Sequence, residues 1–236
     1  MRYKYYDLVM AFFVTVLLVS NIASSAKIVD WRFSLLGLPL VFDAGTLLFP
    51  ISYIFGDVIT EVYGYRKGRR VIWMGFACTA LMSATLWLVG ILPGEAYWQQ
   101  NVGQSSYKAI LGGVSSGAIV IASLFAYWAG EFSNSFVLAK MKIMTEGRWL
   151  WMRTIGSTLV GQAIDTLLFI SLATLFRVPG FVPQIWFALV ITNYLFKCGV
   201  EAVMTPATYQ VISRMKKAEN VDYYDYGTDF NPFKMA

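Results

Sequence analysis

Asp57 and Glu61 stand four residues apart, as do Lys197 and Glu201, with Asn193 one turn earlier. Glu131 and Asn134 are three apart, and so are Gln162 and Asp165. Residues at these spacings share one face of a helix, so each set makes a polar stripe. Carboxylates accept hydrogen bonds, primary amides donate and accept, and an ammonium group donates. Stripes of that make-up can read the donor and acceptor edges of a flat polar molecule, or carry a titratable proton. The chain has no histidine, the most frequent metal ligand and proton shuttle at neutral pH. Cys78 and Cys198 each stand alone in apolar surroundings, without the clustered thiols or imidazoles that hold zinc. No metal site and no cofactor is expected.

What must position these stripes is set by composition. Of 236 residues, 57% are apolar and only 14% charged, against about a quarter charged in a soluble domain. Apolar runs cover 8–26, 44–63, 71–92, 114–138, 149–176 and 184–212. Each is near or above the roughly 20 residues needed to cross a bilayer as a helix, and none alternates as a barrel strand does. The expected fold is all-α, a multi-pass membrane protein with six transmembrane helices. The run 8–26, with Arg2 and Lys4 ahead and Ser24-Ser25-Ala26 behind, also has the form of a secretory signal. It is read as the first spanning helix.

The net charge of +5 is a topology signal rather than a nucleic-acid surface. Arg2 and Lys4 precede the first run, and Arg66, Lys67, Arg69 and Arg70 follow the second. Lys140, Lys142 and Arg148 follow the fourth, and Arg214, Lys216 and Lys217 the sixth; the alternate loops carry fewer. Basic residues stay cytoplasmic, which places both termini inside. Residues 1–217 form the transmembrane domain, and the polar, aromatic and acidic segment 218–236 is expected to be a loose cytoplasmic tail.

A charge at the centre of a spanning helix costs about 2.5–3.5 kcal/mol on insertion scales. The stripes should therefore face the bundle interior, where together with Asn21 they can line one cavity. Helix gluing is the bland alternative, strongest for Asn21, Asn134 and Asn193; Lys197 can simply neutralise Glu201, and Glu61 can reach Arg66. Pro50 and Pro206 fall inside apolar runs and free carbonyls there, and Gly56, Gly130 and Gly161 adjoin Asp57, Glu131 and Gln162. Broken or closely packed backbone of this kind at membrane depth lines cavities. Tyr53, Phe55, Tyr127, Trp128, Phe132 and Tyr194 lie near the stripes. Aromatic walls with carboxylates and amides suit a flat heterocycle bearing N–H donors. "SNIASSAK" (20–27) and "SNSFVLAK" (133–140) match loosely, as do "GDVITE" and "GQAIDT", which hints at a three-plus-three inverted repeat.

"DVITEVYGYRKGRR", "GEFSNSFVLAKMK" and "RTIGSTLVGQAIDT" resemble the signature stretches of the queuosine-precursor transporter family, also called the vitamin uptake transporter family. The resemblance extends from about Tyr5 to Lys217. It implies a bacterial inner-membrane importer of 7-cyano-7-deazaguanine and 7-aminomethyl-7-deazaguanine for transfer-RNA modification, and no enzyme. A single carboxylate can take the N1–H and amino edge of such a base, and an amide or Lys197 can reach O6, the logic by which guanine is read elsewhere. Glu131 or Asp165 is the expected edge reader, with Asn134 and Gln162 orienting the ring. Asp57 or Glu201 is placed to meet a cationic aminomethyl group. The expected partners are the base, the bilayer, a proton as coupling ion and a second copy of the chain.

Two rivals belong to other classes. A substrate-binding subunit of an energy-coupling vitamin transporter would co-purify with ATPase subunits. An intramembrane aspartyl protease would use Asp57 and Asp165, but its Gly-x-Gly-Asp signature is replaced here by Ile54-Phe55-Gly56-Asp57.

Overall fold

The structure, a computed structural model, describes residues 3–35, 38–178 and 181–234. Arg2 and the Tyr53 side chain lie outside what is described. The order along the chain is α1 (Tyr6–Ala26), a hairpin of β1 (Ile28–Leu35) and β2 (Leu38–Asp43), a 3-10 turn at Ala44–Leu47, and α2 (Phe49–Tyr63). Then come α3 (Tyr65–Ile91), α4 (Ala96–Asn101), α5 (Gly103–Ser115) and α6 (Gly117–Met144). They are followed by α7 (Leu150–Leu175), a 3-10 turn at Pro183–Ile185 and α8 (Trp186–Glu219).

Among the described residues, five helical stretches are long and apolar enough to cross a membrane: Tyr6–Ala26, Tyr65–Ile91, Gly103–Met144, Leu150–Leu175 and Pro183–Glu219. The expected second run, 44–63, is different. Its helix α2 has 15 residues, about 22 Å at 1.5 Å per residue, short of the roughly 30 Å hydrocarbon core. Pro50 explains the late start. It sits in the first turn of α2, where a missing N–H costs nothing and the fixed φ favours helix. Pro50 therefore starts a helix instead of breaking one. Gly64, at φ 84°, ends α2 in a conformation costly for any residue with a Cβ. Pro206 lies inside α8, which continues through it to Glu219.

The expectation of helices alone also needs correcting at 28–43. Ile28 pairs with Asp43 and Leu35 with Leu38 in an antiparallel ribbon, with a register irregularity between Asp30 and Ser34. The two Ser-Asn repeats sit in unlike settings. The first ends α1 against this hairpin, whereas the second is interior to α6.

The molecule is apolar outside and polar within. Leu81, Phe187 and Val203 are exposed, while Asp57, Glu61, Arg153, Thr154, Ser157 and Glu201 are buried. That distribution belongs to a protein dissolved in lipid, where polar groups must be satisfied by other protein. An apolar core does exist around α2: Phe13, Ile54, Val58, Ile59, Val62, Tyr63, Val71 and Ile212 pack together. Helices α6 and α7 touch backbone to backbone. A Cβ on Gly161 would lie 2.7 Å from the Asn134 Cβ and 3.0 Å from the Gly130 carbonyl oxygen.

One end of the bundle gathers the N-terminal segment, the α2–α3 junction, the α6–α7 loop and the end of α8. Glu219 accepts from the backbone N–H groups of Lys4 and Tyr5 and from the Tyr63 hydroxyl. Composition predicts a loose tail beyond residue 217, yet residues 222–233 run back along this end. Tyr65 N–H donates to the Asp225 carboxylate, and Arg69 donates to the carbonyls of Asp229 and Asn231. Trp73 Nε1 donates to the Pro232 carbonyl at 2.8 Å. Phe230 packs against Tyr65, and Phe233 against Trp73 and Trp128.

Candidate functional site

Helix α2 carries Asp57 and Glu61 one turn apart, and α8, α6 and α7 pack against it or against one another around that turn. The two carboxylates, each 1% exposed, meet unlike surroundings.

Glu61 Oε1 receives Arg153 Nη2 at 2.8 Å and Lys216 Nζ at 2.7 Å, with Lys142 Nζ at 3.4 Å. Lys142 also donates to the Glu61 carbonyl, and Asp222 of the tail bridges Lys142 and Lys216 at 2.5 and 2.8 Å. Partial burial pushes the Asp222 carboxyl up, but those two ammonium groups outweigh it and hold it below the usual aspartate range. Arg66, the partner expected from sequence proximity, is not what holds Glu61. Glu61 is a structural knot, and Arg153, which the sequence reading missed, is its most buried cation. An arginine one turn into an apolar helix was the available signal.

Asp57 faces Glu201 from α8, Glu131 and the Asn134 amide from α6, and Glu61 on its own helix. Asp57 Oδ2 and both carboxylate oxygens of Glu201 are buried without a hydrogen-bond partner among the described residues, and so are Asn134 Oδ1 and Gln162 Oε1. Buried polar atoms are rarely left so. Glu131 lies over Gly56, its Oε2 3.7 Å from where a Cβ there would sit. Beside it is a cavity of about 10 Å³ lined by Gly56, Thr60, Glu131 and Ser135 with Phe13 and Ile59. That is room for about one water.

Lys197 Nζ bonds Asp165 Oδ2 at 2.5 Å across α7 and α8, rather than neutralising Glu201 on its own helix. Glu131 lies within electrostatic reach of this pair. Asp57, Glu131, Asn134, Asp165, Lys197 and Glu201 thus converge between α2, α6, α7 and α8, and Gln162 lies one turn from Asp165 on α7. Asn21 and Asn193 do not join them through a hydrogen bond. Each amide donates to a carbonyl of its own helix, Asn21 to Leu17 and Asn193 to Leu189, and Asn193 is exposed.

The aromatic wall is also redistributed. Trp128 and Phe132 cluster with Trp73, and Phe55 stacks on Phe12. Tyr194 lies beside Cys198. Tyr127 stays within reach of Glu131, and Phe13, unremarked in the sequence, lines the small cavity. Gly130 and Gly161 bring backbones together rather than admitting a ligand, since a Cβ on Gly130 would meet the Asp165 Cβ at 2.7 Å.

A four-helix cluster of carboxylates and amides, several of their oxygens without a partner among the described residues, lies inside a lipid-facing bundle. A family model described as putative vitamin uptake transporter matches residues 43–211, which takes in α2 to α7, α8 as far as Val211, and the converging residues Asp57, Glu131, Asn134, Gln162, Asp165, Lys197 and Glu201. The chain belongs to that family. It is a multi-pass protein of the bacterial inner membrane and a transporter, not an enzyme. It is 28% identical over 166 residues to the probable queuosine precursor transporter of Bacillus subtilis, covering 70% of this chain and 69% of the relative. It is 24% identical over 194 residues to the queuosine precursor transporter of Escherichia coli, covering 82% of each. A probable queuosine precursor transporter of Haemophilus influenzae is 23% identical over 168 residues, 71% of this chain and 67% of that one. No solved structure matches the chain.

Proposed function

We propose that the protein imports queuosine precursors, the 7-deazaguanine bases carrying a cyano or aminomethyl group, down through the centre of the bundle. The relatives' names support the substrate class. The observation that carries the reading is that Asn134 Oδ1 and Gln162 Oε1 are buried without a donor among the described residues, each one helical turn from a carboxylate, Glu131 and Asp165. A guanine-like edge supplies N–H donors, and its O6 takes a donated hydrogen bond.

Glu131 accepts the N1–H and exocyclic amine together. The Asp165–Lys197 pair opens toward the base, Lys197 or an amide donating to O6 while Asn134 and Gln162 fix the ring in its plane. Phe13 and Tyr127 are the aromatic faces placed to stack on it. The cavity beside Glu131 holds about one water, so a base seated there requires α2 and α6 to part.

Six crossings with both termini cytoplasmic fit the gathering of basic residues and tail at one end. In that arrangement α2, with the turn and hairpin ahead of it, completes the short second crossing. Uptake of labelled base is the test, in cells unable to make queuosine precursors, comparing wild type with Glu131→Gln and Asp165→Asn. Precursor-dependent uptake that falls at least about tenfold in each variant is the expected result, a loss of 1.4 kcal/mol or more. No uptake by a normally inserted wild type overturns the substrate, and full uptake in both variants overturns the site.

A further inference from the structure

Asp57 and Glu201 are set apart from the rest of the cluster by what they lack. Asp165 has Lys197 and Glu61 has three cations, whereas among the described residues no cation lies within ion-pair distance of Asp57 or Glu201. The groups facing Asp57 are Glu201 from α8, Glu131 and Asn134 from α6, and Glu61 on α2. Glu201 has Asp57 opposite and the Cys198 thiol on its own helix, while the neighbouring Lys197 is turned to Asp165. Both are 1% exposed, and three of their four carboxylate oxygens have no hydrogen-bond partner.

Two buried carboxylates on packed helices, within electrostatic reach of each other, are accommodated when they share a proton. A metal ion would want more ligands than two side chains offer, and no group of three or more His, Cys, Asp or Glu side chains gathers to hold one among the described residues. Pro206 removes the donor to the Ala202 carbonyl, next to Glu201, and so loosens α8 at this point.

We propose that Asp57 and Glu201 form a proton-binding site, one proton held between two carboxylates, and that this pair couples the transporter to the proton gradient. The inference rests on the transport reading above and assigns the pair a role separate from the base. The proton enters from one side as H+ and leaves on the other as H+. Only O–H bonds form and break, and with a neutral base each proton carries one positive charge inward.

The full-length protein in proteoliposomes provides the test, with wild type, Asp57→Asn and Glu201→Gln compared by two measurements. Base-for-base exchange at equal pH reports the base site, and accumulation under an inward one-unit proton gradient reports coupling. Wild type should accumulate labelled base roughly tenfold at one proton per base, and both variants should still exchange base but accumulate none. Accumulation that ignores the gradient in wild type, or persists in the variants, overturns the proposal. Loss of exchange together with accumulation overturns it as well, since the pair would then hold the base.

Infrared difference spectra of the purified protein without base give an independent reading. A protonated-carboxyl band at neutral pH in wild type, missing from each variant, is expected. Its absence from wild type overturns the proton site whatever is transported. If the band is present but wild type exchanges no base, the proton site stands and the base assignment fails.

Discussion

Glu61 and Asp57 lie on one helix, one turn apart, equally buried, and their environments are opposite. Glu61 is surrounded by Lys142, Arg153 and Lys216, with Asp222 closing the outer side. Asp57 meets other carboxylates and one amide. A buried charge matched by opposite charges holds elements in register; an unmatched one stores a demand that a ligand can meet. Removing one partner of a buried pair leaves an uncompensated charge, whereas neutralising an unpaired carboxylate relieves a burden. The two positions should therefore respond to mutation in opposite senses.

The largest expected effect is at the knot. Glu61→Ala strands Arg153 and Lys142 and should cost about 3–5 kcal/mol, read as a large fall in thermal midpoint or loss of folded protein in detergent. Next is the α6–α7 contact, where Gly161→Val drives a branched side chain into Asn134. Overpacking of that kind costs about 1–3 kcal/mol, seen in the same melt.

Asp57→Asn, the counterpart of the Glu61 change, should leave the midpoint within about 0.5 kcal/mol of wild type or raise it. A drop as large as that of Glu61→Ala erases the contrast between the two residues. Tail docking should show a milder, pH-dependent signature. The Asp222 carboxyl is held below its ordinary value, so its contribution is present above the unfolded value near 3.9 and is lost as pH falls through the folded one. Protease cleavage of the tail should rise on acidification in wild type, and Asp222→Asn should remove that dependence. Smallest of all, Asn193→Ala should change neither melting nor uptake, because its amide serves only its own helix.

The apolar runs made the long helices legible, since length and hydropathy are local properties. Run 44–63 misled because hydropathy does not register a proline at a helix start, and Pro50 shortened α2. The hairpin at 28–43 was passed over because a two-strand ribbon is too short to contrast with a loop. For the candidate site, one-turn spacing picked out polar stripes, but partners across helices are not written in spacing. Arg66 is five residues from Glu61, yet the buried arginine that bonds its carboxylate is Arg153, 92 residues away. Lys197 likewise chose Asp165 over the nearer Glu201. The tail misled most. Its acidic and aromatic composition reads as disorder only while its complement, Tyr65, Arg69 and Trp73, is left out of the account.

That complement gives assembly an order in time. Tyr65, Arg69 and Trp73 enter the membrane early in synthesis, yet their hydrogen-bond acceptors lie between Asp225 and Pro232 and are made only after α8. Until then Arg69 must keep water or lipid headgroups as partners, and Lys142 lacks Asp222. One end of the bundle stays unfinished through translation, and residues 222–232 act as its closing stitch.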